Sequence, residues 1–237
     1  MVAANAQHLE RAPEGSRASA WQRLATSIEV AAVAGIVCAI CWSLSLRGLL
    51  ARPPVGAGRD EVARFYESHH TRVAFLLALM VIGTVAYLWF IGVVRSRLGQ
   101  REHRLVGSVF LGASILLTGL VLLGAATLAA PSILVDVGGG RPDPGAVSLL
   151  RAESAVVLSV FAPRVATLVM FSTATLGRIA GAFPGWLVII SYIVGIAEFV
   201  NVTISEPTLY VFPAWIAVVS AVLLVRRQEL PTRPALS

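Results

Sequence analysis

The chain has 237 residues, of which 57% are apolar and 14% charged. Soluble domains carry about 45–50% apolar and about 25% charged residues, so the composition excludes a disordered, collagenous or nucleic-acid-binding chain and argues against an ordinary soluble enzyme. All 19 basic side chains are Arg, and the formal charge of +6 resides in loops and tails, where it bears on membrane orientation.

Residues 1–27 are polar and mix Glu10 and Glu14 with arginines. They read as a cytoplasmic tail rather than a signal peptide, with Ser16–Ile28 as a short interfacial helix that holds Trp21 at headgroup depth. Crossing the hydrocarbon core takes about 20 mostly apolar residues. Six segments meet or approach that length: Ile28–Leu50, Val73–Val94, Leu105–Ala130, Ser154–Gly177, Gly185–Ile204 and Pro207–Val225. Backbone polar groups in lipid must pair within their own segment, so these are helices. The predicted fold is an all-α transmembrane bundle of six helices, followed by a cytoplasmic tail over 226–237.

Two outer loops join the spans. In the first, Arg52–Arg72, Asp60 caps a helical stretch in which Val62, Phe65, Tyr66 and His69 recur at helical spacing. It reads as a short helix on the outer surface. The second, Pro131–Arg151, contains Gly138-Gly139-Gly140-Arg141-Pro142 and reads as a mobile loop. With both termini inside, the cytoplasmic segments hold 11 arginines and the outer ones seven. The short Arg95–Arg104 loop is the densest piece, and short loops weigh most in the positive-inside rule. Both termini are therefore expected on the cytoplasmic side of the membrane.

Cys38 and Cys41 form a Cys-x-x-Cys inside the first span. No βαβ pattern surrounds them, and they read as small apolar packing residues.

The constellation that stands out is Arg164 with Glu198. Ionisable residues deep in a span are rare and cost about 2.5–3.5 kcal/mol each on insertion scales. The two are predicted to face each other across the fourth and fifth helices, accompanied by Ser191, Gly195, Asn201 and Thr167. Pro163 removes a helix hydrogen bond and frees the Ser159 carbonyl, a candidate acceptor for the guanidinium. Two readings compete: a buried pair that fixes helix packing, and a substrate or proton site.

A second group, Glu67, His69, His70 and Arg72, lies at the outer mouth of the second span. Adjacent histidines on a helix diverge by about 100°, so the group reads as a solvated or headgroup-binding rim, and no metal is expected. Asp136 and Asp143 could approach it from the other outer loop, whereas His103 lies on the opposite side. In the third span Ser108-xxx-Gly112, Ser114-xxx-Thr118 and Ala125-xxx-Ala129 are packing faces, internal or between protomers. No motif of a metalloprotease, serine hydrolase or nucleotide-binding protein occurs, so no catalytic residue and no cofactor are expected.

Phe65-Tyr66-Glu67-Ser68-His69-His70-Thr71-Arg72 before a span, Leu88-Trp89-Phe90 with Arg95-Ser96-Arg97-Leu98 closing it, and Phe183-Pro184-Gly185-Trp186-Leu187 opening the fifth helix resemble a family of six-span actinobacterial membrane proteins with no assigned activity. The resemblance implies a six-helix inner-membrane protein and carries over no site residue.

Three functions fit these features. The first is a non-enzymatic membrane module, either a partner subunit or a lipid-contacting protein. Its partners would be the bilayer and a second copy or another membrane protein. The second is a small transporter or exporter that uses Glu198 for coupling or ligand binding. The third is an intramembrane enzyme acting on a lipid or prenyl substrate, with Glu198 as general acid.

Overall fold

A computed structural model describes residues 28–51, 53, 58–98, 104–138, 142–201 and 203–226. The expected tail helix ahead of Ile28, with Trp21, the tail beyond Arg226, and Arg52, Arg101, His103 and Arg141 lie outside the described residues. Among the described residues every regular element is a helix: α1 Ile28–Leu49, α2 Arg59–Leu98, α3 Arg104–Gly138, α4 Pro144–Val156, α5 Ala162–Ile179, α6 Gly185–Val200 and α7 Thr208–Val225. A π-helical turn, Val157–Phe161, joins α4 to α5 without a break. The prediction of an all-α bundle therefore holds.

Among the described residues five stretches are long and apolar enough to cross a membrane: Glu29–Leu49, Arg59–Ser96, Leu105–Val135, Pro144–Ile179 and Thr208–Val225. The sixth apolar segment, Gly185–Val200, is shorter. It nevertheless runs back along α5, because Thr175 meets Tyr192, Thr167 meets Gly195 and Arg164 meets Asn201. The same antiparallel register joins α1 to α2 through Trp42–Thr84 and Ser45–Leu76. It joins α1 to α7 through the Trp42 and Phe212 rings at one level and Gly35 with Ser220 at another. Ile28 and Arg226 thus lie at the same end of the bundle.

The structure corrects two outer-loop expectations. The helix over residues 59–72 is not a separate surface element; it continues into the second span as one 40-residue helix. No Gly or Pro interrupts Asp60–Met80, so nothing ends the hydrogen-bond ladder. The Pro131–Arg151 connection is helical on both sides, because α3 runs through Pro131 to Gly138 and α4 starts at Pro144. Asp143 caps α4, its carboxylate accepting from the Gly145 and Ala146 amides at 2.9 and 3.3 Å, with Pro144 in the first turn.

At about 1.5 Å per residue, α2 is about 60 Å long, α3 about 52 Å and the α4–α5 stretch about 54 Å. A hydrocarbon core is about 30 Å thick. These three helices therefore extend beyond the apolar layer at one end and form a head with its own small core of Val62, Tyr66 and Val147, backed by Phe65 and Val135. Arg59 pairs with Asp143 at 2.6 Å across it. Arg151 donates to the Leu50 and Ala51 carbonyls at 2.9 and 3.2 Å, tying the end of α1 to the head.

Inside the bundle the core centres on Trp42, Tyr87, Phe110, Met80 and Met170, all at most 1% exposed. Cys38 and Cys41 are buried free thiols within α1, as packing residues should be. Ile189, Ile193, Ile196 and Phe199 on α6 face outward and are more than half exposed. Lipid is the environment in which such a face is stable.

Candidate functional site

Pro163 has no N–H to give, and the helix accommodates this by widening one turn. The Ala162 amide bonds the Val157 carbonyl, five residues back instead of four. The Leu158 carbonyl then has no helix donor, since its partner at i+4 is spent on Val157 and its partner at i+5 is Pro163. On α7, Pro213 removes the donor of the Leu209 carbonyl in the same way.

Both prolines face one cavity. Its walls include Trp42 and Leu46 of α1, Leu117 and Val121 of α3, and Leu158 of the π-helical turn. Ala162, Ala166 and Met170 of α5 and Thr208, Leu209 and Phe212 of α7 complete it, and Glu198 is its only ionisable lining residue. It holds about 40 Å³ of space for water-sized molecules. One buried water takes about 10–15 Å³ on that measure, so the cavity has room for about three or four.

Glu198 lies in the last turn of α6 and is 8% exposed. It was expected to pair with Arg164; it does not. Among the described residues the only ion pair is Arg59–Asp143. The reason lies in the face each residue occupies. Ala162, Ala166 and Met170 share the cavity face of α5 at i, i+4 and i+8. Arg164, two residues from both alanines, sits about 200° around the helix, beside the exposed Phe161 and Leu168. Its guanidinium donates to the Val160 carbonyl and, at 3.4 Å, to the Asn201 carbonyl. The acceptor within the helix is thus Val160, not Ser159.

The remaining predicted members of the cluster fasten α6. Thr167 Oγ1 lies 3.0 Å from the Pro163 carbonyl and 2.9 Å from the Gly195 carbonyl, bridging α5 to α6. Ser191 donates to the Leu187 carbonyl at 2.7 Å and accepts from Trp215 Nε1 at 2.9 Å, bridging α6 to α7. Asn201 ends α6, donates to Thr208 Oγ1 at 3.3 Å and accepts from the Thr203 amide at 2.9 Å. Ser205 lies 2.9 Å from Thr208 as well. Thr167, Ser191 and Asn201 are therefore anchors, and Glu198 is the predicted polar residue that faces the cavity.

The outer rim does not converge on this cavity. His69 Nδ1 lies 2.7 Å from the Phe65 carbonyl, and its ring stacks on Phe65 at 4.4 Å. His70 Nδ1 lies 2.7 Å from the Glu67 carbonyl. Glu67, His70 and Arg72 are exposed on the head. Asp143 is engaged by Arg59 rather than by a histidine, and that guanidinium, together with the Ala146 and Gly145 amides, holds its carboxyl below the ordinary range.

Sequence reasoning missed Trp42, Thr208, Phe212 and Pro213 as cavity residues. The available signal was Pro213 inside an uncharged apolar run, paired with Pro163 in another.

Fold and site define the class: an integral membrane protein with several apolar helices, in which Glu198 is the one acidic side chain among the described residues that lines the cavity. In comparisons with known proteins, no family model, no curated protein and no solved structure matches the chain.

Proposed function

We propose that this is a six-span bacterial plasma-membrane protein that works as a small transporter or exporter, with Glu198 as the carboxylate that binds the solute or couples its movement. The observation that carries the reading is Glu198, buried on the wall of a cavity shared by five of the helices and without an ion-pair partner among the described residues. A carboxylate in such a place is costly unless it holds a proton or a cation. The Trp42 and Phe212 side chains line the same cavity. The donor-free carbonyls of Leu158 and Leu209 add acceptors of the kind that interrupted helices supply to ions. The cavity volume restricts the occupant to a proton with water or to a small cation. The six-span actinobacterial resemblance is compatible with this reading and assigns no solute.

Substituted-cysteine labelling tests it. In a background with Cys38 and Cys41 replaced, Thr208→Cys and Leu209→Cys are expected to react with a membrane-impermeant thiol reagent. Ile193→Cys and Ile196→Cys, on the lipid face, are expected to be protected. Equal protection at all four positions would leave Glu198 sealed from water and end the transport reading.

A further inference from the structure

We infer that Arg164 is a binding site for the phosphate of a phospholipid headgroup, held in a recess where the apolar belt of the protein is thin. The inference concerns the lipid-facing flank of α5 and α6 and is independent of the solute assigned to Glu198.

The first observation is an uncompensated charge. Arg164 stays protonated in a protein. Among the described residues no carboxylate pairs with it. Two of its five N–H groups reach carbonyls, those of Val160 and Asn201, which leaves three donors and a full positive charge. The side chain is half-buried and lies on the stripe that carries Phe161, 51% exposed, and Leu168, 44% exposed. On the neighbouring helix Phe199 and Val200 are 54% and 68% exposed. The guanidinium therefore opens toward lipid rather than toward the cavity.

The second observation is a step in apolar height. Along α4 and α5 the uncharged flank runs from Ser154 to Gly177, broken only by Arg164, which is about 36 Å at helical rise. Alongside it, α6 ends at Val200 after 16 residues, about 24 Å. The Asn201–Pro207 connection then crosses at that lower level with Thr203 and Glu206 exposed. Arg164 touches this connection through the Asn201 carbonyl. A bilayer meets a short apolar segment by thinning locally, which draws headgroups down. Arg164 is level with Asn201, and the uncharged flank continues ten residues above it to Ser154, a step of about 15 Å, which places the headgroup layer at the guanidinium on this side. A planar fork with spare donors suits a phosphate diester.

The test uses native mass spectrometry of the full chain in detergent, titrated with dioleoylphosphatidylglycerol and with dioleoylglycerol, which lacks the phosphate. Wild type is expected to retain the phospholipid about tenfold more tightly than the neutral lipid. Arg164→Gln is expected to lose that preference, whereas Arg95→Gln at the far end of α2 keeps it. Equal retention by Arg164→Gln and wild type overturns the inference. Arg164→Lys keeps the charge without the fork and serves if the Gln variant does not fold. It is expected to fall between, and a Lys variant equal to wild type also overturns the inference. Thermal unfolding with millimolar inorganic phosphate separates the sources: a stabilisation matching that by the phospholipid, and dependent on Arg164, would assign the site to a free anion instead.

Discussion

Arg164 and Glu198 were visible from the sequence as the two charged residues inside apolar runs. Their mutual arrangement was not, because depth along a helix can be counted but rotation about it is set by packing. In the structure Ala162, Ala166 and Met170 form the cavity face of α5, and Arg164 lies off that face. Asp143 shows a different residue-scale effect. Its carboxyl is held below the ordinary range first by Arg59 and then by two amides. A carboxyl lowered in the folded state contributes stability that is present above its unfolded value and is lost as the pH falls through its folded value. The Arg59 contact therefore holds the head at neutral pH and releases it in acid. Asp143→Asn keeps a capping side chain and removes the charge. Amide exchange at Val62, Tyr66 and Val147 is expected to rise about twofold at neutral pH, a small effect because the pair is exposed and screened by salt. Below the carboxylate range the variant and wild type should exchange alike. A difference that persists in acid would mean the cap, not the ion pair, is responsible.

At the scale of elements, the helices were legible because apolar runs of this length have no other stable form in lipid. Their true lengths were not. Polar stretches such as Glu67–Arg72 end an apolar run without ending a helix, and the Gly138–Pro144 connection proved shorter than its composition suggested. The π-helical turn was half legible: Pro163 announces a lost hydrogen bond, but only the structure shows the extra residue being absorbed at Val157–Phe161. That turn pushes Leu158 against α3, where a Cβ on Gly124 would lie 2.4 Å from Leu158 Cγ. Ser154 fixes the same spot by donating to the Gly124 carbonyl at 3.1 Å. Gly119, on the lipid side of α3, has open space around it. Gly124→Leu is therefore expected to lower stability by about 1–3 kcal/mol through overpacking. Gly119→Leu should be neutral or slightly stabilising, since Leu favours a helix over Gly. Thermal unfolding of the two variants in detergent checks the contrast. Equal behaviour would show that α3 does not seat the turn as described.

For the whole molecule, charge is distributed unevenly between the two ends. Arg95, Arg97, Arg104, Arg178 and Arg226 gather at the end that carries Ile28. The head end carries Arg47, Arg59, Arg64, Arg72 and Arg151 diluted by Asp60, Glu61, Glu67, Asp143, Glu153 and Glu206. Arginines in short connections, not net charge, set orientation, and the Arg95–Arg104 segment is the densest short one. On that rule the proposed orientation has the head outside and the Ile28 and Arg226 ends in the cytoplasm, with α6 crossing alongside its neighbours. Its antiparallel bonding to both α5 and α7 supports a sixth crossing, since Tyr192 lies against Thr175 and Asn201 against Arg164, nine residues apart along it. Fluorescent-protein fusions ahead of residue 1 and after residue 237 are expected to light up in the cytoplasm. Alkaline phosphatase inserted between Gly138 and Pro142 is expected to be active outside. Fusions reporting opposite sides for the two ends would reduce the crossings to five and detach α6 from the layer, and with it the recess at Arg164. A dark pair with an inactive insertion would instead invert the molecule and turn the Glu198 cavity and the head toward the cytoplasm.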